Sequence, residues 1–151
     1  MTLLPPSTNA DYRGSTWSAA FLALIGALTL VPGCIHYFLP DGGAGVIAGI
    51  DLTVHGKQIV GTFAWMGALQ IPYGLLMMIV ALRYRTLVPL FLALQILEKA
   101  LSAVSAWVTK GTLAGHHPPE NYAVLIVLPL LALFLLLSLK GGDNNRPEIS
   151  P

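Results

Sequence analysis

Charge is what this sequence has least of. Only 10% of its 151 residues are Asp, Glu, Lys or Arg, against about 25% in ordinary soluble domains. Basic residues outnumber acidic ones by eight to seven, so no basic face exists to neutralise phosphates, and nucleic acid is excluded as a partner. A single cysteine, Cys34, rules out an internal disulfide and any paired-thiol redox or zinc motif. It can serve only as a free thiol, an intermolecular partner or a lipidation site. Glycines cluster at 42, 43, 45 and 49, but no Gly-Lys-Ser/Thr follows them and no strand precedes them, so they do not form a phosphate loop. The length leaves room for one compact bundle and no second domain.

What the chain has in excess is apolar sequence: 55% of residues are hydrophobic and the mean hydropathy is +0.72. Four runs, residues 17–39, 57–82, 87–108 and 121–139, are each long enough to cross a hydrocarbon core of about 30 Å. The expected fold is therefore all-α, an integral membrane four-helix bundle over residues 16–140. Polar tails at 1–15 and 141–151 flank it, the first lying on the membrane surface.

The first run has Trp17 at one end and Tyr37 and Phe38 at the other, the aromatic-belt pattern of a spanning helix. Pro32-Gly33 should kink it or end it early. A lipoprotein signal reading, with cleavage before Cys34, fits less well. Arg13 is a thin basic region and Pro32 is unfavourable at that place. Residues 41–56 are too short and too glycine-rich to span, and read as a loop with room for a short interfacial helix.

The second run places Gly61, Ala64, Gly67, Ala68 and Gly74 so that another helix can approach closely, which also makes self-association or partner binding an expectation. Gln70, Pro72 and Tyr73 interrupt its middle. After a basic turn, Arg83-Tyr84-Arg85, Thr86 is the expected N-cap of the third helix. The fourth run opens at Glu120, where an acid meets the positive end of the helix dipole. Broken only by Pro129, it reads as lipid-facing.

Four spans put Arg13, Arg83, Arg85, Lys140 and Arg146 on one side, and Lys57 and Lys110 on the other. The positive-inside rule then places both termini in the cytoplasm and the protein in the inner membrane. His36, His55, His116 and His117 fall on the outer side with Asp41, Asp51 and Glu120. A metal site built from His36, His116, His117 and Glu120 is one reading, since imidazoles and carboxylates suit zinc or copper. No HxH or HxxxH spacing supports it, and ordinary interfacial histidines are the competing reading. No metal and no cofactor is expected.

The third run holds the feature around which the rest is arranged. Gln95, Glu98, Ser102 and Ser105 line one helical face, and ionisable groups at that depth cost about 2.5–3.5 kcal/mol each on insertion scales. Lys99 sits about 100° round from Glu98, at the border of the same face. The seam should point into the bundle, towards Gln70 and Tyr73. Three roles compete for it. Glu98 is a packing residue paired with Lys99 or Tyr73. Or Glu98, Gln95, Lys99, Ser102, Gln70 and Tyr73 line a pocket for a lipid, quinone or sterol-like molecule. Or Glu98 is the general acid/base of a membrane oxidoreductase or isomerase.

The proline-glycine break late in helix one, the glycine-bearing second helix, the basic turn and the Gly/Pro-containing entry to the last helix (residues 115–120) together resemble the small bacterial DoxX-like four-helix membrane proteins. The likeness is one of layout over residues 17–139. It implies an inner-membrane protein, for some members linked to quinol oxidation or thiol stress, and carries over no catalytic residue. Size and helix count are also similar to the membrane glutathione-transferase-like family. Its Glu, Arg, Asn, Glu series is missing from residues 57–82, which excludes it. The expected function is non-enzymatic: an accessory subunit of a larger membrane complex or homo-oligomer, or a binder of a small lipophilic molecule.

Overall fold

A computed structural model describes residues 3–110 and 117–140. They form an all-α bundle of four long helices: α1 Thr16–Phe38, α2 Gly56–Arg83, α3 Val88–Val104 and α4 Pro119–Leu139. A short 3₁₀ turn, Arg85–Leu87, leads into α3, and a π turn, Ser105–Thr109, continues it. With these flanks the third segment runs Arg85–Thr109, and all four segments are long and apolar enough to cross a membrane.

The helices associate as two pairs. α1 lies along α2 in close contact and α3 pairs with α4, while α2 barely touches α3. Glycines set the first pairing. A Cβ on Gly26 would come within 2.9 Å of the Gly74 carbonyl oxygen, and one on Gly74 within 2.7 Å of the Gly26 carbonyl oxygen. Two turns away, a Cβ on Gly67 would come within 2.6 Å of the Gly33 carbonyl oxygen. The backbones therefore touch along a heptad-spaced seam that only hydrogen-sized side chains permit. Gly61, also expected on such a face, has open space for 4 Å around the place a Cβ would occupy and takes no part in the seam.

Pro32 neither ends nor shortens α1, which continues to Phe38. Proline removes one intrahelical bond, but Gly33 is in contact with Gln70 and Ile71 of α2 at this level, so tertiary packing holds the helix through the break.

The end of the bundle that carries the chain's N-terminal segment is closed. Leu22, Met77, Leu92 and Leu131, one from each helix, are fully buried there with Ile25, Val80 and Val88. Phe21 of α1 stacks on Phe134 of α4 with ring centroids 4.1 Å apart, and the Ser18 hydroxyl donates to the Phe134 carbonyl at 2.8 Å. The N-terminal segment, read from the sequence as a surface tail, folds back over this end. Asn9 Nδ2 donates to the Leu82 carbonyl at 2.7 Å and Ser7 Oγ to the Arg83 carbonyl at 2.9 Å. In return the Arg83 guanidinium and the Tyr84 hydroxyl donate to the Pro5 carbonyl. The unpaired carbonyls at the C-terminus of α2 are thereby satisfied by the chain's own polar start. Thr86 is not the N-cap of α3: Leu87 holds that place without a side-chain cap bond, and the Thr86 hydroxyl donates instead to Thr8 at 2.8 Å.

At the opposite end, residues 39–55 form a string of turns. The Asp41 carboxylate accepts from the backbone N–H groups of Gly43, Gly45 and Val46, and Gly42 and Gly43 supply the left-handed backbone (φ 61° and 75°) the turn requires. These three bonds hold the Asp41 carboxyl below its usual value of 3.8.

Candidate functional site

The two helix pairs touch far less than the helices within each pair, and a cleft opens between them. The resulting cleft has a volume of about 800 Å³, inside the range of about 300–1,000 Å³ typical of small-molecule sites. Gln70 and Tyr73 of α2 and Gln95, Glu98, Lys99 and Ser102 of α3 all line it, so the six residues singled out from the sequence share one cavity. Ser105, the last member of the predicted seam, lines it too.

The polar groups form two layers. Deepest is Gln95, 1% exposed beside the apolar core, whose Nε2 donates to the Tyr73 hydroxyl at 3.2 Å. Tyr73 is kept in place by packing against Phe91. The oxygens Gln95 Oε1 and Gln70 Oε1 are both buried and have no hydrogen-bond partner among the described residues.

One turn further along α3 stands a charged layer. Lys99 Nζ lies 3.2 Å from Glu98 Oε2 and 3.7 Å from Glu120 Oε1 of α4, and Ser102 Oγ donates to Glu98 Oε1 at 3.3 Å. Helical geometry alone set Glu98 and Lys99 on diverging directions. The two long side chains nevertheless bend together, because Lys99 reaches along its helix towards the Glu120 carboxylate and passes Glu98 on the way. Glu98 is 45% exposed at its side chain and Lys99 18%. The carboxylate faces the cleft rather than a sealed interior, and its direct partners come from its own helix. Its link to another segment runs through Lys99. Glu120 was expected to open α4, or to join the histidines at a metal; its place as the second anion on Lys99 was missed, since it depends on how far α4 starts down the side of α3.

The histidines do not converge. His36 Nδ1 is 2.7 Å from the Gly42 carbonyl oxygen and its ring meets Phe63 edge-on. His117 stacks on Trp107 at 4.1 Å, and its Nδ1 is 3.3 Å from Asn121 Nδ2. His116 lies outside the described residues. Among the described residues no group of three His, Cys, Asp or Glu side chains could hold a metal ion. Trp107 adds a donor bond to the Asn121 carbonyl, so this aromatic cluster ties the mouth of α3 to the start of α4.

The π turn was also invisible in the sequence. It places Lys110 N on the Ser105 carbonyl at 2.8 Å and widens α3 where Ser105 and Ala106 border the cleft. No protein-family model, no curated protein and no solved structure matches this chain. What the chain is by class rests on its four apolar helices, which fit a small multi-pass membrane protein in contact with the bilayer.

Proposed function

We propose that this protein binds a small lipophilic molecule between its two helix pairs and performs no chemistry on it. The observation that carries this reading is the buried Gln95 amide, whose oxygen has no partner among the described residues although it borders a cavity. A buried amide oxygen left unsatisfied costs about 1–3 kcal/mol, and a bound molecule that reaches it removes that cost. Glu98 is held by Lys99 and Ser102, which favours a holding role over proton transfer. The DoxX-like layout agrees with such a role and contributes no site residue.

On the same reading the bundle sits in the inner membrane with both termini in the cytoplasm. Arg13, Arg83, Arg85 and Lys140 belong to the closed end, and Lys57 and Lys110 to the open end, which is the asymmetry the positive-inside rule requires. The cleft then opens towards the outer face.

Native mass spectrometry of the full chain, purified from its own membranes in mild detergent, tests the function. The expected result is a retained small molecule on the wild type and its loss on Gln95→Leu. Partner chains without any bound small molecule would instead assign the protein as an accessory subunit. A bare monomer from every preparation would refute both.

A further inference from the structure

The chemistry of the cleft walls narrows what it can hold. Its floor presents two unpartnered acceptors beside amide and hydroxyl donors. The Gln95 nitrogen spends one of its two hydrogens on the Tyr73 hydroxyl, while Gln95 Oε1 and Gln70 Oε1, both buried, have no donor among the described residues. The closing torsion of a glutamine side chain is soft, so each oxygen can turn onto a group in the cavity without moving its helix. Glu98, open to the cleft, adds a carboxylate with lone pairs beyond those used by Lys99 and Ser102.

The charge balance points the same way. Glu98 and Glu120 face Lys99, and Lys110 also lines the cleft, so its formal charges cancel and no surplus cation awaits an anionic head group. Alongside lies a second cavity of about 450 Å³ beneath α1, walled by Ile25, Ile35, Ile47, Phe63 and Val127. It meets the polar cleft along Leu28, Thr29 and Pro32 and at the Lys99–Glu120 pair, all of which border both. Acceptors at one end and an apolar branch at the other suit a molecule with a donor head and a hydrocarbon tail.

Resting on the binding role above, we infer that the ligand is a neutral lipophile whose head carries hydroxyl groups. The hydroxyls donate to Gln70 and Gln95, and the tail occupies the apolar branch. A site built to accept from donors rejects an analogue that lacks them, because its own buried oxygens are then left unpaired.

The test is a native mass spectrometry titration of the delipidated full chain near neutral pH. Three probes share one oleoyl chain: monooleoylglycerol, methyl oleate and oleate. Monooleoylglycerol, with two hydroxyls, should bind about tenfold or more tighter than methyl oleate, which only accepts, and than oleate, which is anionic. Gln95→Leu and, independently, Gln70→Leu should erase that preference while leaving methyl oleate binding unchanged. The wild-type comparison stands even if one variant fails to fold. Equal or tighter binding of methyl oleate or oleate overturns the donor-head assignment and leaves the binding role intact. A preference that survives both substitutions overturns the placement of the head. Failure of all three probes to bind sinks the binding role itself.

Discussion

At one end of this bundle Leu22, Met77, Leu92 and Leu131 converge from four helices with no exposed surface left between them. At the other, Gln70, Gln95, Glu98 and Lys99 border a cavity. Both ends are made by the same four helices, so the difference lies in what each helix presents at each level. Where all four present aliphatic side chains the helices close. Where α3 presents amide and charge, and α2 presents an amide beside its proline, close packing would strand polar groups in a dry interior. The pairs separate there instead. In a bilayer, where lipid tails are as apolar as leucine, closure itself must come from fit and from small residues. The comparison teaches that the glycine seam between α1 and α2 is structural, whereas the polar seam of α3 borders an open cleft.

The largest expected effect breaks the structural side of that contrast. Gly74→Leu places carbon against the Gly26 carbonyl oxygen and the Leu30 backbone, neither of which can yield without parting the helices. Overpacking of this kind costs about 1–3 kcal/mol or more, a fall in the detergent melting midpoint of roughly 5–10 °C. Gly61→Leu, in open space, should leave the midpoint within about 2 °C of the wild type, since isolated surface changes stay near ±0.5 kcal/mol. Thermal unfolding followed by circular dichroism checks both. Equal effects of the two substitutions would remove the seam from the account.

A smaller effect sharpens the other side. The Asp41 carboxyl is held below 3.8 by the backbone N–H groups of Val46 and Gly43. A carboxyl whose folded value is depressed contributes fully above its unfolded value, and the contribution is lost as pH falls through the folded one. The turns after α1 should therefore hold unchanged from neutral pH to about 5 and loosen only below 3.8. Amide exchange at Gly43, Gly45 and Val46 reports this directly. The closed end, fastened by neutral groups and arginine, should show no matching change in that window.

The spans were legible in the sequence because length and hydropathy decide them: residues 17–39, 57–82 and 121–139 differ from α1, α2 and α4 by at most two positions at either end. The polar seam of α3 followed from helical spacing, and its four members, Gln95, Glu98, Ser102 and Ser105, border one cavity with Lys99, Gln70 and Tyr73. What could not be read were relations between segments. Nothing in Ser7-Thr8-Asn9 announces that it will cap the carbonyls of Leu82 and Arg83, and Thr86 looked like a helix cap until Thr8 claimed its hydroxyl. Gly67 and Gly74 declared a close approach without saying to which helix, and the seam turned out to be internal. Pro32 carries a local instruction to break α1 that packing against Gln70 and Ile71 overrides. The Lys99–Glu120 bridge depends on the vertical offset of α3 and α4, which no single-helix argument supplies.

The contrast between a closed and an open end is tested most directly by thiol accessibility. In a Cys34→Ala background, a cysteine replacing Ser102 on the cleft wall and one replacing Met77 in the closed core are each exposed to a small water-soluble thiol reagent in detergent. Ser102→Cys should react at a rate close to that of a free thiol, and Met77→Cys should stay unmodified until the protein is unfolded. Equal rates at the two positions, or a protected Ser102→Cys, would contradict the cleft on which the binding role depends.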